Sequence, residues 1–469
     1  MIVSADWWIP SSPERRIRGV LTESNERFEL TLEGELTDLE ERFDVLPSEI
    51  CGESYTGGLY TLLNARRRPS VAHWSAGRRV SEGRYAADIY LEGQALERPQ
   101  DAPIQAASFS HDRLYDWLRL TSLTREYPQG FGGDEFLLRH ATPNLLTFEA
   151  GNLTVEIRTR LAEQSSLAPK LTSLQERHVF ALLFSEPLSL GAVHDTCVDE
   201  LARFLSFASG VWIRPEPLHL RFADGFGRAN RAGESFGKMQ FADRPGAFAE
   251  HDAHFARSLL DPQQLGNRLG PMLLEWLALS TKAPFLLNLL LSVSFAEGMF
   301  LEHRFLSLAQ GLESFHRWKF GGTHIEEQDW NPLSTDIQEL IAQRVPIGNA
   351  ATALKNKLKY LNQITLGERL RELVSNAGGA PLNLVHDTNL FVKRVRDTRN
   401  YLTHYGDISS NTLQPGAPMA GACDQMRCLL ETCVLMELGL SLAEIATSTH
   451  QNERFNDVRR AFPKSPGVS

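Results

Sequence analysis

The sequence predicts an α+β fold, in which a β-rich N-terminal region is followed by a C-terminal all-α helical bundle. In the first third of the chain, short segments such as 17–22, 27–32 and 153–158 mix apolar and polar residues at a period near two, and glycine or proline separates them. From about residue 256 onward, apolar residues recur at a period near 3.6, which is typical of amphipathic helices.

Four regions follow from these patterns. Residues 1–165 are expected to form a β-rich domain, either a sandwich or a curved sheet. Residues 166–255 mix strand and helix patterns and form a second lobe or a continuation of the first domain. Successive helical patterns over 256–450 predict a bundle. Residues 451–469 are expected to be a C-terminal tail.

Composition indicates a packed globular protein and argues against one class of function. Of the 469 residues, 42% are hydrophobic and 23% are charged, which excludes disordered and collagen-like chains. Lys and Arg total 48 and Asp and Glu total 58, so the net charge is −10. That acidic balance argues against a protein that coats nucleic acid through bulk charge, although a local basic site remains compatible with it.

The sequence favours a cytoplasmic location with no membrane partner. Five cysteines are few and odd in number, which argues against a disulfide framework and fits a reducing compartment. The first residues lack the basic start and apolar run of a signal peptide. The longest apolar stretch, 285–296, is too short for a bilayer span, which needs about 20 residues.

Two short patterns could carry chemistry, but each has a simpler structural explanation. Residues 233–237 match the G-x-S-x-G pattern of a hydrolase nucleophile elbow, yet such an elbow needs a strand directly before the serine, and a polar loop is predicted there. Residues 250–254 offer four possible metal ligands without a second half of a ligand set. A loop and a solvated helix start are therefore favoured, and no metal or cofactor is expected.

One predicted helix, over about 384–403, is unusual because it is basic in an acidic chain. Between residues 393 and 399 it has a local charge of +3. Apolar or small residues at 391, 395, 398 and 402 would bury one face. Gly406 is a plausible stop for this helix, so His404 would lie in the last turn, where the helix dipole favours the imidazolium form.

Arg399 and His404 supply the two groups that cleavage of RNA by its own 2′-hydroxyl requires. The histidine would move protons, and the arginine would stabilise charge on the phosphate, with no metal. Five residues on an ideal helix rotate by about 140° and rise about 7.5 Å. The two side chains therefore meet only if the helix ends or distorts before His404, or if two copies meet across a two-fold axis. A basic helix end with a capping histidine is the alternative.

The segment Arg399-Asn400-Tyr-Leu-Thr-His404 matches the R-x4–6-H motif of HEPN domains, including the polar residue directly after the arginine. The helical region over 256–448 fits a HEPN fold in size and all-α character. With its long β-rich N-terminal region, the chain resembles the ApeA-type anti-phage proteins, which have an Apea-like HEPN domain.

This resemblance implies a metal-independent endoribonuclease that acts as the toxic arm of an abortive-infection system. It implies an RNA substrate, a homodimer formed through the HEPN domain, and a phage-derived trigger that the N-terminal region senses. Arg399, Asn400 and His404 carry over as the catalytic motif. The alternative is a catalytically silent HEPN dimerisation or binding module whose N-terminal domain recognises a ligand or a phage protein.

Further residues are expected to support the catalytic motif. A glutamate on an earlier helix often supports such sites, and Glu313 is the candidate here, with His316 second. Tyr405 directly follows the catalytic histidine. The full set comprises the supporting residues Glu313, His316, Asp397 and Tyr405, and the RNA-binding residues Lys393, Arg394 and Arg396, which would contact flanking phosphates.

Overall fold

A computed structural model describes most of the chain. The described residues are 2–24, 27–36, 48–69, 72–75, 78–110, 114–127, 137–141, 146–167, 170–215, 217–230, 232–242, 254–345, 348–358, 360–405 and 408–461. The chain divides into two compact units, residues 1–278 and 279–469. The first contains a large antiparallel sheet and the second is helical, which confirms the predicted α+β class.

The first unit is built mainly of strands. They are β1 (Ile2–Trp8), β2 (Ile17–Ser24), β3 (Arg27–Leu32), β4 (Glu49–Glu53), β5 (Leu59–Leu63), β6 (Arg66–Arg67), β7 (Ala72–Ser75), β8 (Arg78–Ser81), β9 (Gly83–Ala87), β10 (Ile89–Glu92), β11 (Pro103–Ser110), β12 (Leu123–Glu126), β13 (Leu137–His140), β14 (Leu146–Ala150), β15 (Leu153–Leu167), β16 (Lys170–Ser189), β17 (Leu218–Phe222) and β18 (Phe236–Phe241).

Fourteen of the described strands form one sheet, in the order β14-β15-β16-β11-β17-β18-β10-β5-β4-β1-β2-β3-β9-β6. Every described pair of strands in this sheet is antiparallel, for example β1 with β2 and β17 with β18. The sheet therefore continues from the first 165 residues into the stretch over 166–242. Among the described residues of 211–222, only Leu218–Phe222 pairs as a strand, because Pro215 and Pro217 precede it.

The core of this unit packs around a buried tryptophan. Trp7 is fully buried, and its indole N–H donates to the Gly19 carbonyl at 3.3 Å. A Cβ atom at Gly52 would lie 2.5 Å from the Trp7 ring, so glycine is required where β4 crosses it. Tyr60 lies 6.1 Å from Trp7 and 5.9 Å from Tyr90 between ring centroids, which extends an aromatic cluster through the core.

The helices of this unit are α1 (Tyr115–Leu118), α2 (Leu190–Ala192), α3 (Asp199–Ser209), α4 (Pro262–Leu265) and α5 (Leu269–Lys282), which continues into the second unit. A π-helical turn over Val193–Val198 joins α2 to α3. The Asp199 N–H donates to the His194 carbonyl, the i→i+5 hydrogen bond that defines such a turn.

The described residues of the second unit form helices joined by connecting segments. Its helices are α6 (Pro284–Phe295), α7 (Leu301–Phe320), α8 (Glu327–Arg344), α9 (Asn349–Leu358), α10 (Leu366–Leu373), α11 (Thr388–His404), α12 (Ala417–Glu437), α13 (Leu442–Ser448) and α14 (Glu453–Arg460). α7 is central, since it contacts α6, α10, α11 and α12. Gly298 lies in the break between α6 and α7.

α12 is the most buried helix of the described bundle. Cys423, Cys428 and Cys433 all point into the core and are free thiols, as expected of small core fillers. Burial raises the pKa of Cys428 to about 12. The segment 451–469, assigned above to a tail, contains α14, which is anchored to α12 because Arg454 donates to both carboxylate oxygens of the buried Glu431 at 2.6 Å.

No single helix among the described residues is long and apolar enough to span a membrane. One pair, Pro262–Lys282 with Pro284–Phe295, reaches that length and composition only when its two parts are joined across a sharp bend.

Candidate active site

α11 carries the basic segment and has defined ends. Asp387 caps its first turn by accepting the Leu390 N–H at 2.8 Å. A face containing Phe391 and Val395 is buried. The helix ends after His404, where Tyr405 adopts a left-handed conformation with a φ of 48° and donates its N–H to a helix carbonyl. Gly406, the expected stop, lies outside the described residues.

This regular helix separates Arg399 from His404. α11 remains helical through His404 and shows no bulge between the two residues. Five residues on such a helix place two side chains about 140° apart around its axis. Within one chain, the structure therefore does not bring the arginine and the histidine to one face.

Arg399 faces α7 and an acidic partner there. Its Nη2 atom lies 3.9 Å from Oε2 of Glu313, and its Nη1 atom donates to the Asn400 amide oxygen at 3.3 Å. Arg317, one turn further along α7, reaches the other Glu313 oxygen at 3.5 Å. The side chain of Arg399 remains 37% exposed. The glutamate expected to support the motif thus lies between two arginines, within ion-pair distance of a partly exposed Arg399.

A cavity of about 690 Å³ opens beside Arg399. It lies between α7 and α11, with the start of α6 at one side. Its walls combine aromatic, apolar, polar and charged side chains, which are Phe285, Leu306, Gln310, Glu313, Ser314, Arg317, Trp318, Arg399 and Thr403. A volume in this range suits a small organic ligand or one nucleotide.

His404 lies on a different and exposed surface. His404, Asn400 and Tyr405 are all exposed, and the Tyr405 side chain is 78% accessible. The Tyr405 ring packs edge-on against Tyr401 at 5.9 Å between centroids. The imidazole is therefore open to solvent at the helix end, where an incoming substrate or a second copy can reach it.

Asp397 holds the segment that follows α11. Its carboxylate accepts from Arg396 at 2.8 Å, from the Ser409 hydroxyl at 2.9 Å and from the Asn411 amide at 3.3 Å. Burial alone would raise the pKa of Asp397, but these hydrogen bonds bring that pKa below its ordinary value. The Leu413 N–H also donates to the hydroxyl of Thr398, a buried residue of α11. Asp397 is thus an anchor for the loop.

The three predicted phosphate contacts are spread around the helix. Lys393 and Arg396 are exposed, and Arg396 is already paired with Asp397. Arg394 lines a second cavity of about 360 Å³ between α11, α12 and α14. The basic cluster is therefore divided between two sides of α11.

His316 is fully buried next to charged partners. Its Nδ1 atom lies 3.0 Å from Arg369 Nη1, and its Nε2 atom lies 2.8 Å from the Glu372 carboxylate. Because a guanidinium can only donate, Nδ1 accepts and Nε2 donates. Arg369 in turn donates to the Gly321 and Gly322 carbonyls at the end of α7. His316 and Arg369 are therefore the buried members of a hydrogen-bond network that joins α7 to α10.

The two other patterns do not form reactive sites among the described residues. Ser235 is buried, accepts a hydrogen bond from Gln94, and directly precedes β18, so a strand follows the serine where an elbow needs a helix. Most of 250–254 lies outside the described residues. Three other residues could together hold a metal ion, namely His194 and Asp195 on the π-helical turn and Asp199 at the start of α3.

Several residues around Arg399 were not predicted from the sequence. Arg317, Gln310, Ser314 and Trp318 have no motif of their own, and they are recognisable only once α7 is aligned with α11. The available signal was their spacing, because residues 306, 310, 313, 314, 317 and 318 recur at intervals that share one side of a helix.

Two family models match the chain. Residues 3–276 match the model described as ApeA N-terminal domain 1, and residues 306–444 match the model described as Apea-like HEPN. The second match contains Glu313, Arg399 and His404. Neither a curated protein nor a solved structure matches the chain.

Proposed function

Because the chain belongs to the ApeA family of anti-phage proteins, whose N-terminal model matches more than half of its residues, we propose that its HEPN domain is a metal-independent endoribonuclease. HEPN domains are generally ribonuclease-like. The observation that carries the proposal is the placement of Arg399, which is oriented by Glu313 at 3.9 Å and lines an open cavity large enough for a nucleotide.

The reaction is transfer of a phosphodiester to the adjacent 2′-hydroxyl. The 2′-oxygen bonds to the phosphorus as the P–O5′ bond breaks, which leaves 2′,3′-cyclic phosphate and 5′-hydroxyl ends. His404 accepts the proton of the 2′-hydroxyl or donates one to the leaving 5′-oxygen, and water exchanges the proton of the other oxygen. Arg399 stabilises the negative charge that develops on the phosphorus oxygens. Asn400, which accepts from Arg399, positions the guanidinium, and Lys393, Arg394 and Arg396 contact flanking phosphates.

Two copies of the domain complete the site. Because α11 is regular, one chain presents Arg399 and His404 on different sides. A two-fold axis next to α11 would place His404 of one copy opposite Arg399 of the other. The exposure of His404, Asn400 and Tyr405 supports this arrangement, since they remain accessible in the single chain.

The proposed enzyme also has a cellular location and a biological role. We place it in the cytoplasm as the toxic arm of an abortive-infection response, in which the N-terminal unit senses a phage-derived trigger and restrains the HEPN domain until then. We expect this restraint because an unregulated ribonuclease would degrade the RNA of its own host cell, and the family membership supports it.

Sequencing RNA 5′ ends from phage-infected cells tests the proposal. Cells with the wild-type chain should accumulate new 5′-hydroxyl ends, and His404→Ala should abolish them. His450→Ala is the matched control, because it removes another exposed histidine of the same unit. Equal cleavage by wild type and His404→Ala would overturn the proposed mechanism. If the wild type leaves RNA intact during infection, the alternative of a silent dimerisation or binding module replaces it.

A further inference from the structure

The cavity beside Arg399 has a mixed lining that the phosphate chemistry does not use. Arg399 and Glu313 occupy one side of it. Phe285 and Trp318 contribute aromatic surface, and the Phe285 side chain is 41% exposed. Cleavage at a phosphate does not require an aromatic surface. The aromatic side chains beside Arg399 would therefore contact a part of the substrate other than the phosphate.

One side of α7 provides most of this lining. Leu306, Gln310, Ser314 and Trp318 follow each other at intervals of four, so their side chains form a continuous row along the helix. The row runs past the Glu313–Arg399 pair. A molecule bound to the arginine would therefore extend along the row.

Polar groups in this row are available to a ligand. In the part of the chain that the structure describes, neither the Gln310 amide nor the Ser314 hydroxyl has a hydrogen-bond partner. An amide offers both a donor and an acceptor, and a hydroxyl offers either. Groups of this kind beside an aromatic surface suit a planar, hydrogen-bonding ring.

These features match the parts of a single nucleotide. Bases of unpaired RNA stack on aromatic side chains, and their edges are read by amides and hydroxyls. The phosphate of the same nucleotide binds to an arginine. The cavity, at about 690 Å³, holds aromatic, amide and guanidinium groups together.

We propose that this cavity is a nucleobase subsite, which holds the base next to the cleaved phosphate and gives the enzyme a base preference at that position. Trp318 and Phe285 supply the stacking surface, and Gln310 and Ser314 contact the base edge. This inference rests on the proposed ribonuclease function, because it takes Arg399 as the phosphate ligand. It implies that the substrate is single-stranded at the cut, since a paired base could not enter the cavity.

Cleavage of a synthetic single-stranded RNA pool with randomised positions tests the subsite, using the full-length chain. The wild type should show a preference at one position beside the cut. Gln310→Ala should flatten that preference, and Gln310→Glu, which replaces the amide donor with an acceptor, should change the preferred base. Trp318→Ala should raise KM by about tenfold while kcat changes less than about threefold, because stacking contributes to binding.

Matched controls separate these effects from general damage. Trp330→Ala and Gln338→Ala remove the same residue types from α8, which does not line the cavity, and should leave preference and KM unchanged. Gln310 is exposed, so its variants should keep the wild-type melting temperature even if Trp318→Ala does not.

The results of these variants distinguish an error in the nucleobase subsite from an error in the ribonuclease function. If Gln310→Ala and Trp318→Ala retain the wild-type preference and KM while Arg399→Ala abolishes cleavage, the subsite is wrong and the ribonuclease stands. If Arg399→Ala cleaves as the wild type does, the proposed function itself is wrong.

Discussion

Arg399 Nη2 lies 3.9 Å from Oε2 of Glu313, and the two side chains join α11 to α7 at the wall of an open cavity. Both groups are partly exposed, at 37% and 24% for Arg399 and Glu313 respectively. A surface ion pair of this kind adds little to stability. Its consequence is orientation, since it limits the positions that the guanidinium can take beside a bound phosphate.

Removing the Glu313 charge should therefore affect catalysis more than folding. We expect Glu313→Gln to lower kcat about tenfold, with a smaller change in KM, because the phosphate still reaches an arginine that is less well aligned. Single-turnover cleavage and a melting curve measure the two effects. Glu339→Gln, on α8, is the control. A loss of stability with unchanged kcat would assign Glu313 a structural role.

In contrast to Glu313→Gln, His316→Ala should lower the stability of the fold and leave kcat nearly unchanged. The substitution removes the imidazole that accepts from Nη1 of the buried Arg369, and an unsatisfied buried polar group costs about 1–3 kcal/mol, whereas the exposed Glu372 carboxylate can bind water instead. Urea unfolding of the second unit should shift to lower concentration, while kcat per folded molecule stays near the wild-type value. A large fall in kcat with normal stability would return His316 to the catalytic site.

Asp397 should make the loop after α11 sensitive to acid. Its pKa is lower in the folded chain, since the hydrogen bonds it accepts outweigh the burial that raises it. The ionised carboxylate therefore stabilises the loop above its unfolded pKa of about 3.9, and this contribution is lost as pH falls through the lower folded value.

Hydrogen exchange at the Leu413 amide, which donates to Thr398, measures this effect. At pH 7, Asp397→Asn should weaken protection by about 1 kcal/mol, as expected for charge-assisted hydrogen bonds. The difference from the wild type should shrink below about pH 4. Equal protection of both chains at pH 7 would show that Asp397 does not hold the loop.

Salt should weaken RNA binding only modestly. The chain has a net charge of −10, and the proposed site brings only Arg399, Lys393, Arg394 and Arg396 to phosphates, of which Arg396 also pairs with Asp397. For the non-cleaving His404→Ala chain, log Kd should vary with log salt with a slope of about 2, and Lys393→Ala should reduce the slope by about 0.7. Lys355→Ala, on α9, should leave it unchanged. A slope of about 6 or more would indicate extensive backbone binding instead.

Most of the fold could be predicted from residue periodicity. The strand over 27–32 follows from local alternation of apolar and polar residues, and the helices of the C-terminal region follow from a period near 3.6. The order of the fourteen described strands could not be predicted, because pairing between strands such as β10 and β18 joins residues about 150 positions apart. The helix α14 was missed although Asn452 caps its first turn, and its attachment to α12 through the buried pair of Arg454 with Glu431 joins distant positions that no local pattern links.

The site was predictable as a motif but not as a geometry. His194 and Asp199 are also five residues apart, yet their side chains approach to 3.9 Å because a π-helical turn lies between them. Arg399 and His404 have the same spacing on a regular α-helix, which separates them. Spacing alone cannot distinguish these cases, because it does not reveal the local helix type.

A mixed dimer tests the central claim most directly, namely that Arg399 of one copy and His404 of another form one ribonuclease site. Differently tagged Arg399→Ala and His404→Ala chains should each be inactive alone, and dimers containing one of each should be isolated through both tags. Such a dimer holds one intact site of two, so we predict cleavage at about half the wild-type rate. A mixed dimer as inactive as its parent variants would contradict the claim.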